Sequence, residues 1–110
     1  MNYQIHITGK AEQDLTQAAD YIEFSLLNPE AADALLDKAD TEINALSSMP
    51  HKHQLVDDPL LSTLGIRFIL VNNYIAFYII DEPKKTVHIV RFLYQKRDWL
   101  HILKNEPIHL

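Results

Sequence analysis

Apolar residues recur along the first half of the chain with the spacing of one short strand and two helices. Residues 3–7 alternate apolar and polar positions, which predicts a short strand. Residues 11–26 then carry apolar side chains at steps of three and four, which predicts an amphipathic helix of about four turns. Asn28 followed by Pro29 is a typical start of a second helix. Because this start follows almost directly on the first helix, we expect a tight antiparallel helix hairpin.

The second half of the chain predicts a β-meander. Residues 50–64 lack a clear period and contain two prolines, so we expect a surface loop with at most one helical turn. Two runs rich in β-branched and aromatic residues then meet at Asn72 and Asn73, which tolerate the positive φ of a two-residue hairpin turn. Residues 86–94 predict a last strand, and residues 97–104 a short final helix. The predicted fold class is α+β: an N-terminal strand, an antiparallel two-helix hairpin and a three-stranded antiparallel meander, with the helices packed on one face of the sheet.

The hairpin turn determines which side chains share a face of the sheet. With Asn72 and Asn73 in the turn, Arg67 pairs with Tyr78. One face is then wholly apolar, and we predict that the helices cover it; it carries Ile66, Phe68, Leu70, Ile75, Phe77 and Ile79. The opposite face includes Arg67 and Tyr78 and is predicted to face solvent.

The position of Arg91 depends on the length of the next turn. If residues 82–85 form that turn, Arg91 pairs with Ala76 and lies on the open face beside Arg67 and Tyr78. A three-residue turn would place Arg91 in the core, where an unpaired guanidinium would cost several kcal/mol. We prefer the first register, which sets two guanidinium groups side by side on the solvent-facing side of the sheet.

Composition and length indicate one globular domain spanning residues 1–110. Apolar residues make up 47% of the chain and charged residues 23%, which argues against disorder. The chain has no cysteine, which excludes disulfides, thiolate nucleophiles and Cys-ligated zinc. The N-terminus does not have the pattern of a signal peptide, and no apolar run is long enough for a membrane span. We therefore expect a cytoplasmic protein.

Charge is distributed unevenly along the chain, whose net charge is −5. Residues 11–49 contain nine acidic residues and one lysine, a net charge of −8. Residues 84–104 contain six basic residues and one aspartate, a net charge of +5. Such a molecule can present one face to an anion while another face repels it.

Several short motifs, taken in their order and spacing, resemble the RelE/ParE superfamily of bacterial type II toxins. They are T-x-x-A-E-x-D-L at residues 8–15, Y-I at 21–22, the N-P helix start, the L-x-x-x-P ending at 46–50, G-I-R at 65–67 and R-x-L-Y-x-x-R-D at 91–98. The resemblance runs from Ile5 to Trp99. The R-x-L and R-D at the end of the last strand are most similar to the ParE-like branch.

The resemblance implies a small toxin that a cognate antitoxin protein holds inactive. Members that resemble RelE cleave messenger RNA in the ribosomal decoding site without a metal, whereas members that resemble ParE poison DNA gyrase. We favour an mRNA interferase, an endoribonuclease that needs no cofactor and inhibits growth at the ribosome. Two alternatives stay open: a gyrase inhibitor without nuclease activity, and an inactive toxin that only binds its antitoxin.

Metal-free RNA cleavage needs cations for the developing phosphorane charge and a proton donor for the leaving oxygen. Arg67 and Arg91 match family positions and are predicted to act as catalytic cations, with Tyr94 as a third catalytic residue. The predicted substrate-binding residues are Tyr78, Lys96 and Arg97. A general base is missing from this set, because His88 is expected to point to the core face.

Overall fold

The computed structural model describes residues 2–110 and contains four strands and four α-helices in the predicted order. These are β1 (Gln4–Ile7), α1 (Gly9–Asp20), α2 (Pro29–Asn44), α3 (Pro59–Thr63), β2 (Arg67–Val71), β3 (Tyr74–Asp81), β4 (Thr86–Tyr94) and α4 (Trp99–Asn105). A π-helical turn, Tyr21–Ser25, extends α1 toward the hairpin connection. The α+β fold and the two-helix hairpin are confirmed.

The helix starts follow the capping signals in the sequence. Thr8 Oγ1 accepts a hydrogen bond of 3.2 Å from the backbone N–H of Ala11, and Asn28 Oδ1 accepts one of 3.1 Å from that of Ala31. Asp58 caps α3 in the same way. The predicted single helical turn within the loop is therefore a short helix with its own cap.

The strands form one mixed sheet in the order β1-β4-β3-β2. β2, β3 and β4 form the predicted antiparallel meander, and β1 adds to β4 in parallel. The predicted pairing of Arg67 with Tyr78 is confirmed. Asn72 has a φ of 54°, as the hairpin turn requires.

The prediction of which sheet face the helix hairpin covers is wrong. α1 and α2 pack on the face that carries Arg67 and Tyr78; the sheet residues in this layer include Ile69, Val71, Ala76, Val87, Ile89 and Phe92. The wholly apolar face packs instead against α3 and α4, through Leu61, Ile102 and Leu103. Both faces are therefore covered, and the rule that the more apolar face meets the helices does not discriminate between them.

A β-bulge in β4 changes the predicted position of Arg91. The turn after β3 is as long as predicted, because Asp81 pairs with Thr86. Farther along, the register shifts: Tyr78 pairs with Ile89 and Phe77 with Arg91, which leaves Val90 as an extra residue. The predicted pairing of Arg91 with Ala76 is wrong, since Ala76 pairs with Phe92.

Within residues 2–110, the helices are all too short or too polar to cross a membrane.

Candidate functional site

Arg91 lies at the centre of a buried ionic cluster. Its side chain is 9% exposed, and that of its partner Asp14 is 3% exposed. Arg91 Nε donates to Asp14 Oδ2 at 2.7 Å, and Nη2 donates to Asp14 Oδ1 at 3.1 Å. Nη1 donates to Glu106 Oε1 at 3.1 Å. The cluster of Asp14, Arg91 and Glu106 therefore carries one positive and two negative charges.

The sheet topology explains why α1 reaches Arg91. β1 ends opposite Ile89, so within residues 2–110 the edge of β4 beyond Ile89 has no strand partner. α1 begins there: Thr8 Oγ1 donates to the Ile89 carbonyl at 2.8 Å. Six residues later, Asp14 Oδ2 accepts a 3.0 Å hydrogen bond from the backbone N–H of Phe92. Asp14 thus satisfies a backbone donor of β4 as well as the Arg91 guanidinium.

The predicted placement of Arg91 on a solvent-facing surface beside Arg67 is wrong. Burial opposes the charge on Arg91, but its bonds to Asp14 and its proximity to Glu106 outweigh burial and raise the guanidinium pKa above its usual value. We expected that burying this cation would cost too much. The two carboxylates remove that objection, because they neutralise the charge and accept its hydrogen bonds.

Arg67 and Tyr78 hold the loop that precedes α3. Arg67 Nη1 donates to the carbonyls of His53 at 2.6 Å and His51 at 3.2 Å. The Tyr78 hydroxyl donates to the Pro50 carbonyl at 2.6 Å, and the Tyr78 side chain is fully buried. The predicted solvent-facing position of Tyr78 is therefore wrong. Burial outweighs the nearby Arg67 charge and raises the pKa of Tyr78 to about 12.

Replacing Tyr78 with phenylalanine is expected to destabilise the protein by about 1–2 kcal/mol, because the buried Pro50 carbonyl loses its donor. Tyr94→Phe is the matched control: Tyr94 is 36% exposed, so water can replace its hydroxyl and the change should stay within about 0.5 kcal/mol. Urea denaturation followed by circular dichroism measures both. Equal stabilities of the two variants would contradict the assignment.

The same pair predicts a pH dependence. The folded-state pKa of Tyr78 lies near 12, above the value of 10.0 for a free tyrosine. The stabilising contribution of the neutral phenol is therefore complete below pH 10 and is lost as the pH rises toward 12. Tyr78→Phe has no such group, so its deficit relative to the wild type should shrink between pH 8 and pH 11. A constant deficit across this range would be inconsistent with a buried phenol.

An apolar groove lies between the helix hairpin and the end of the sheet. It encloses about 580 Å³ and is lined largely by Tyr21, Ile22, Leu26, Tyr74, Phe92 and Tyr94. Tyr74 stacks on Phe92 with ring centroids 5.1 Å apart and meets Tyr94 edge-on at 5.5 Å. Burial, together with the nearby phenols of Tyr94 and Tyr21, raises the pKa of Tyr74. We call this feature the hairpin groove.

The hairpin groove brings together two of the predicted site residues. Tyr94 and Arg97 both line it, and Lys96 is exposed in the turn beside them. Arg67, Tyr78 and Arg91 do not line it; each is engaged elsewhere by the contacts above. The predicted catalytic roles of Arg67, Arg91 and Tyr94 and the substrate-binding roles of Tyr78, Lys96 and Arg97 stay predictions.

Asp14 and the apolar rim of the hairpin groove are features of the site that the sequence patterns above do not predict. Asp14 lies three residues after Ala11 and four before Ala18, so it interrupts the apolar stripe of α1 with a charge. That interruption was the available signal. At the hairpin tip, Tyr21 and Leu26 line the groove and are each 56% exposed. Leu26 continues the apolar stripe of α1, so by its spacing it looks like an ordinary core position.

Comparison with known proteins agrees with this architecture. A model of the family described as ParE toxin of type II toxin-antitoxin system, parDE, matches residues 5–99. A search of curated proteins finds no match. The fold is similar to a structure of the chromosomal ParDE toxin–antitoxin system from P. aeruginosa (TM-score 0.69, 19% identity), covering 84% of this chain and 95% of the other.

A second similar structure is the RelBE2 toxin–antitoxin complex from Mycobacterium tuberculosis. The TM-score is 0.59 at 22% identity, and the match covers 88% of this chain and 95% of the other. At these identities the two structures support the fold. The family match covers most of the chain, from the first strand to the start of α4. The chain belongs to the ParE toxin family of type II toxin–antitoxin systems.

Proposed function

We propose that this toxin inhibits growth by binding DNA gyrase and not by cleaving RNA, and that a cognate antitoxin neutralises it. The observation that carries the proposal is the buried ionic cluster of Asp14, Arg91 and Glu106. A catalytic cation must be able to meet the negative charge that develops on the phosphorane. All three nitrogens of Arg91 already donate to carboxylates, and the net charge of the cluster is negative.

The contacts of Arg67 also argue against RNA cleavage. Its Nη1 donates to two backbone carbonyls of the preceding loop, so the side chain holds a loop in place. The two arginines also contact different parts of the fold: Arg67 donates to the loop before α3, whereas Arg91 donates to Asp14 on α1 and to Glu106 after α4. A two-arginine clamp on one phosphate does not fit this arrangement.

The exposed cations Lys96 and Arg97 follow β4 and are the contact surface we propose for the target. They lie in the basic C-terminal region, and Arg97 also lines the hairpin groove beside the acidic helix hairpin. Exposed cations of this kind steer association with an acidic surface without taking part in chemistry. This contact needs no general base and no cofactor.

A gyrase supercoiling assay and primer extension on a translated message together test the target. We expect the purified toxin to inhibit supercoiling, the antitoxin to reverse that inhibition, and no new RNA ends to appear. The double variant Lys96→Ala/Arg97→Ala should need about tenfold more protein for the same inhibition, whereas Lys38→Ala, an exposed lysine on α2, should match the wild type. New RNA ends with unaffected supercoiling would establish the mRNA interferase instead. Inactivity in both assays would identify a toxin that only binds its antitoxin.

The hairpin groove is the proposed antitoxin site. It is apolar, aromatic and rimmed by exposed side chains, which fits an amphipathic segment of a partner protein. The helices beside it belong to the acidic region, residues 11–49, with its net charge of −8. The segment that binds is therefore expected to carry apolar anchors flanked by basic residues.

Leu26→Ala is expected to raise the Kd for the cognate antitoxin about tenfold, which is about 1.4 kcal/mol. Leu70→Ala is a closely matched control, because Leu70 is the same residue type with the same exposed fraction of 56%, and it does not line the groove. Calorimetric titration of each variant measures the change. If both variants bind like the wild type, the antitoxin occupies another surface.

A further inference from the structure

Two histidine side chains face each other across the parallel pair of strands β1 and β4. His6 and His88 are direct register partners, so their side chains leave the same face of the sheet. Their Nδ1 atoms are 2.8 Å apart. The rings are perpendicular, with centroids 5.0 Å apart. This pair lies away from the hairpin groove and plays no part in the proposed function.

The short contact places two metal-binding nitrogens at one point. It requires that one Nδ1 carries a proton and that the other offers its lone pair. A divalent metal ion can take the place of that shared proton, since neutral imidazole is a common ligand of zinc, copper and nickel. Zinc–nitrogen bonds of about 2.0–2.1 Å in a tetrahedral site set the two nitrogens about 3.3 Å apart. The exposed His6 side chain can supply the small adjustment from the observed distance.

The surroundings of His88 are those of an oriented ligand. Its Nε2 lies 3.7 Å from Asp81 Oδ2 on the neighbouring strand, and its side chain is 11% exposed. That separation is longer than a hydrogen bond, so the carboxylate orients the His88 ring through its charge, in the position from which a carboxylate supports a metal-bound histidine. Ile79, the register partner of His88 on β3, belongs to the apolar layer on this face. The ring is thus held on its buried side and open toward His6.

We propose that His6 and His88 bind one divalent transition-metal ion of the zinc class through their Nδ1 atoms, with Asp81 as the positioning residue for His88. Among residues 2–110, no three or more histidine, cysteine, aspartate and glutamate side chains are grouped to hold a metal ion. Water therefore completes the coordination on the exposed His6 side. The ion ties the N-terminal strand to the central strand β4. Its role is structural, because an ion that binds only the folded chain stabilises it.

Calorimetric titration of the tag-free, metal-free full chain with zinc chloride tests the proposal. We expect one equivalent to bind the wild type and to raise its Tm. His6→Ala should weaken binding at least tenfold and abolish the rise in Tm, and Asp81→Asn should weaken binding about tenfold. His101→Ala removes an exposed histidine from α4 and should bind like the wild type.

The result for His6→Ala decides the outcome, because this side chain is exposed and its loss leaves the core intact. No zinc binding to the wild type, or equal affinity in the wild type and His6→Ala, would overturn the proposal. So would a loss of binding in His101→Ala, since the ion would then sit elsewhere. None of these outcomes bears on gyrase inhibition, so the two proposals fail independently.

Discussion

Asp14→Ala is expected to destabilise the protein by about 3–5 kcal/mol, because it leaves the Arg91 guanidinium buried without its main partner. Glu106 still contacts Arg91, but its side chain is 49% exposed, so water weakens that interaction. The backbone N–H of Phe92 also loses its acceptor, which adds to the cost. Native domains are stable by about 5–15 kcal/mol, so this one carboxylate accounts for a large share of the free energy of unfolding.

Urea denaturation of the purified chain measures this effect. The matched control is Asp20→Ala, which removes an exposed carboxylate from the same helix and should change the free energy of unfolding by less than about 0.5 kcal/mol. The double variant Asp14→Ala/Arg91→Met removes both buried charges and should be more stable than Asp14→Ala alone. If Asp14→Ala is as stable as Asp20→Ala, the ionic cluster does not stabilise the fold, and Arg91 is then free to act as a catalytic cation.

The hairpin register could be predicted from the sequence, whereas the position of Arg91 could not. The hairpin register followed from Asn72 and Asn73, because a two-residue turn determines every pairing beyond it. Arg91 could not be placed this way, since nothing in the sequence marks the bulge at Val90. Counting alternate residues from the turn assigns side chains to the correct face of the sheet only up to that extra residue.

The Arg91–Asp14 ion pair was also hidden by sequence distance. Its members lie 77 positions apart and meet only because β1 stops early and α1 crosses the free edge of β4. One half of the pair was visible: Asp14 interrupts the apolar stripe of α1 between Ala11 and Ala18. A charge in that position either faces solvent or has a buried partner. The apolar stripe therefore predicts a cation beside Asp14 but does not identify that cation as Arg91.

In the candidate site, too, contacts between residues close in the sequence could be predicted, whereas contacts between distant segments could not. Tyr94 and Arg97 are three residues apart, and the turn after β4 brings both to the hairpin groove. The groove itself needs the helix hairpin and the end of the sheet, which are far apart in the chain. Its exposed apolar rim is a property of the assembled surface and has no signature in periodicity.

Leu103→Ala is expected to destabilise the protein by about 2–5 kcal/mol, because α4 together with α3 provides the second core layer. Leu103 is 4% exposed and belongs to the cluster that covers the wholly apolar face of the sheet, with Phe77 and Leu93. That face was predicted to meet the helix hairpin. Since it does not, the short C-terminal helix has to keep water from a large apolar surface, and a cavity beneath it should be costly.

Leu100→Ala is the control on the same helix, because Leu100 is 38% exposed and should change the free energy of unfolding by less than about 0.5–1 kcal/mol. Thermal denaturation of the two variants distinguishes a core layer from a surface appendage: equal Tm values would mean that the second layer contributes little, and the apolar face would then need another cover.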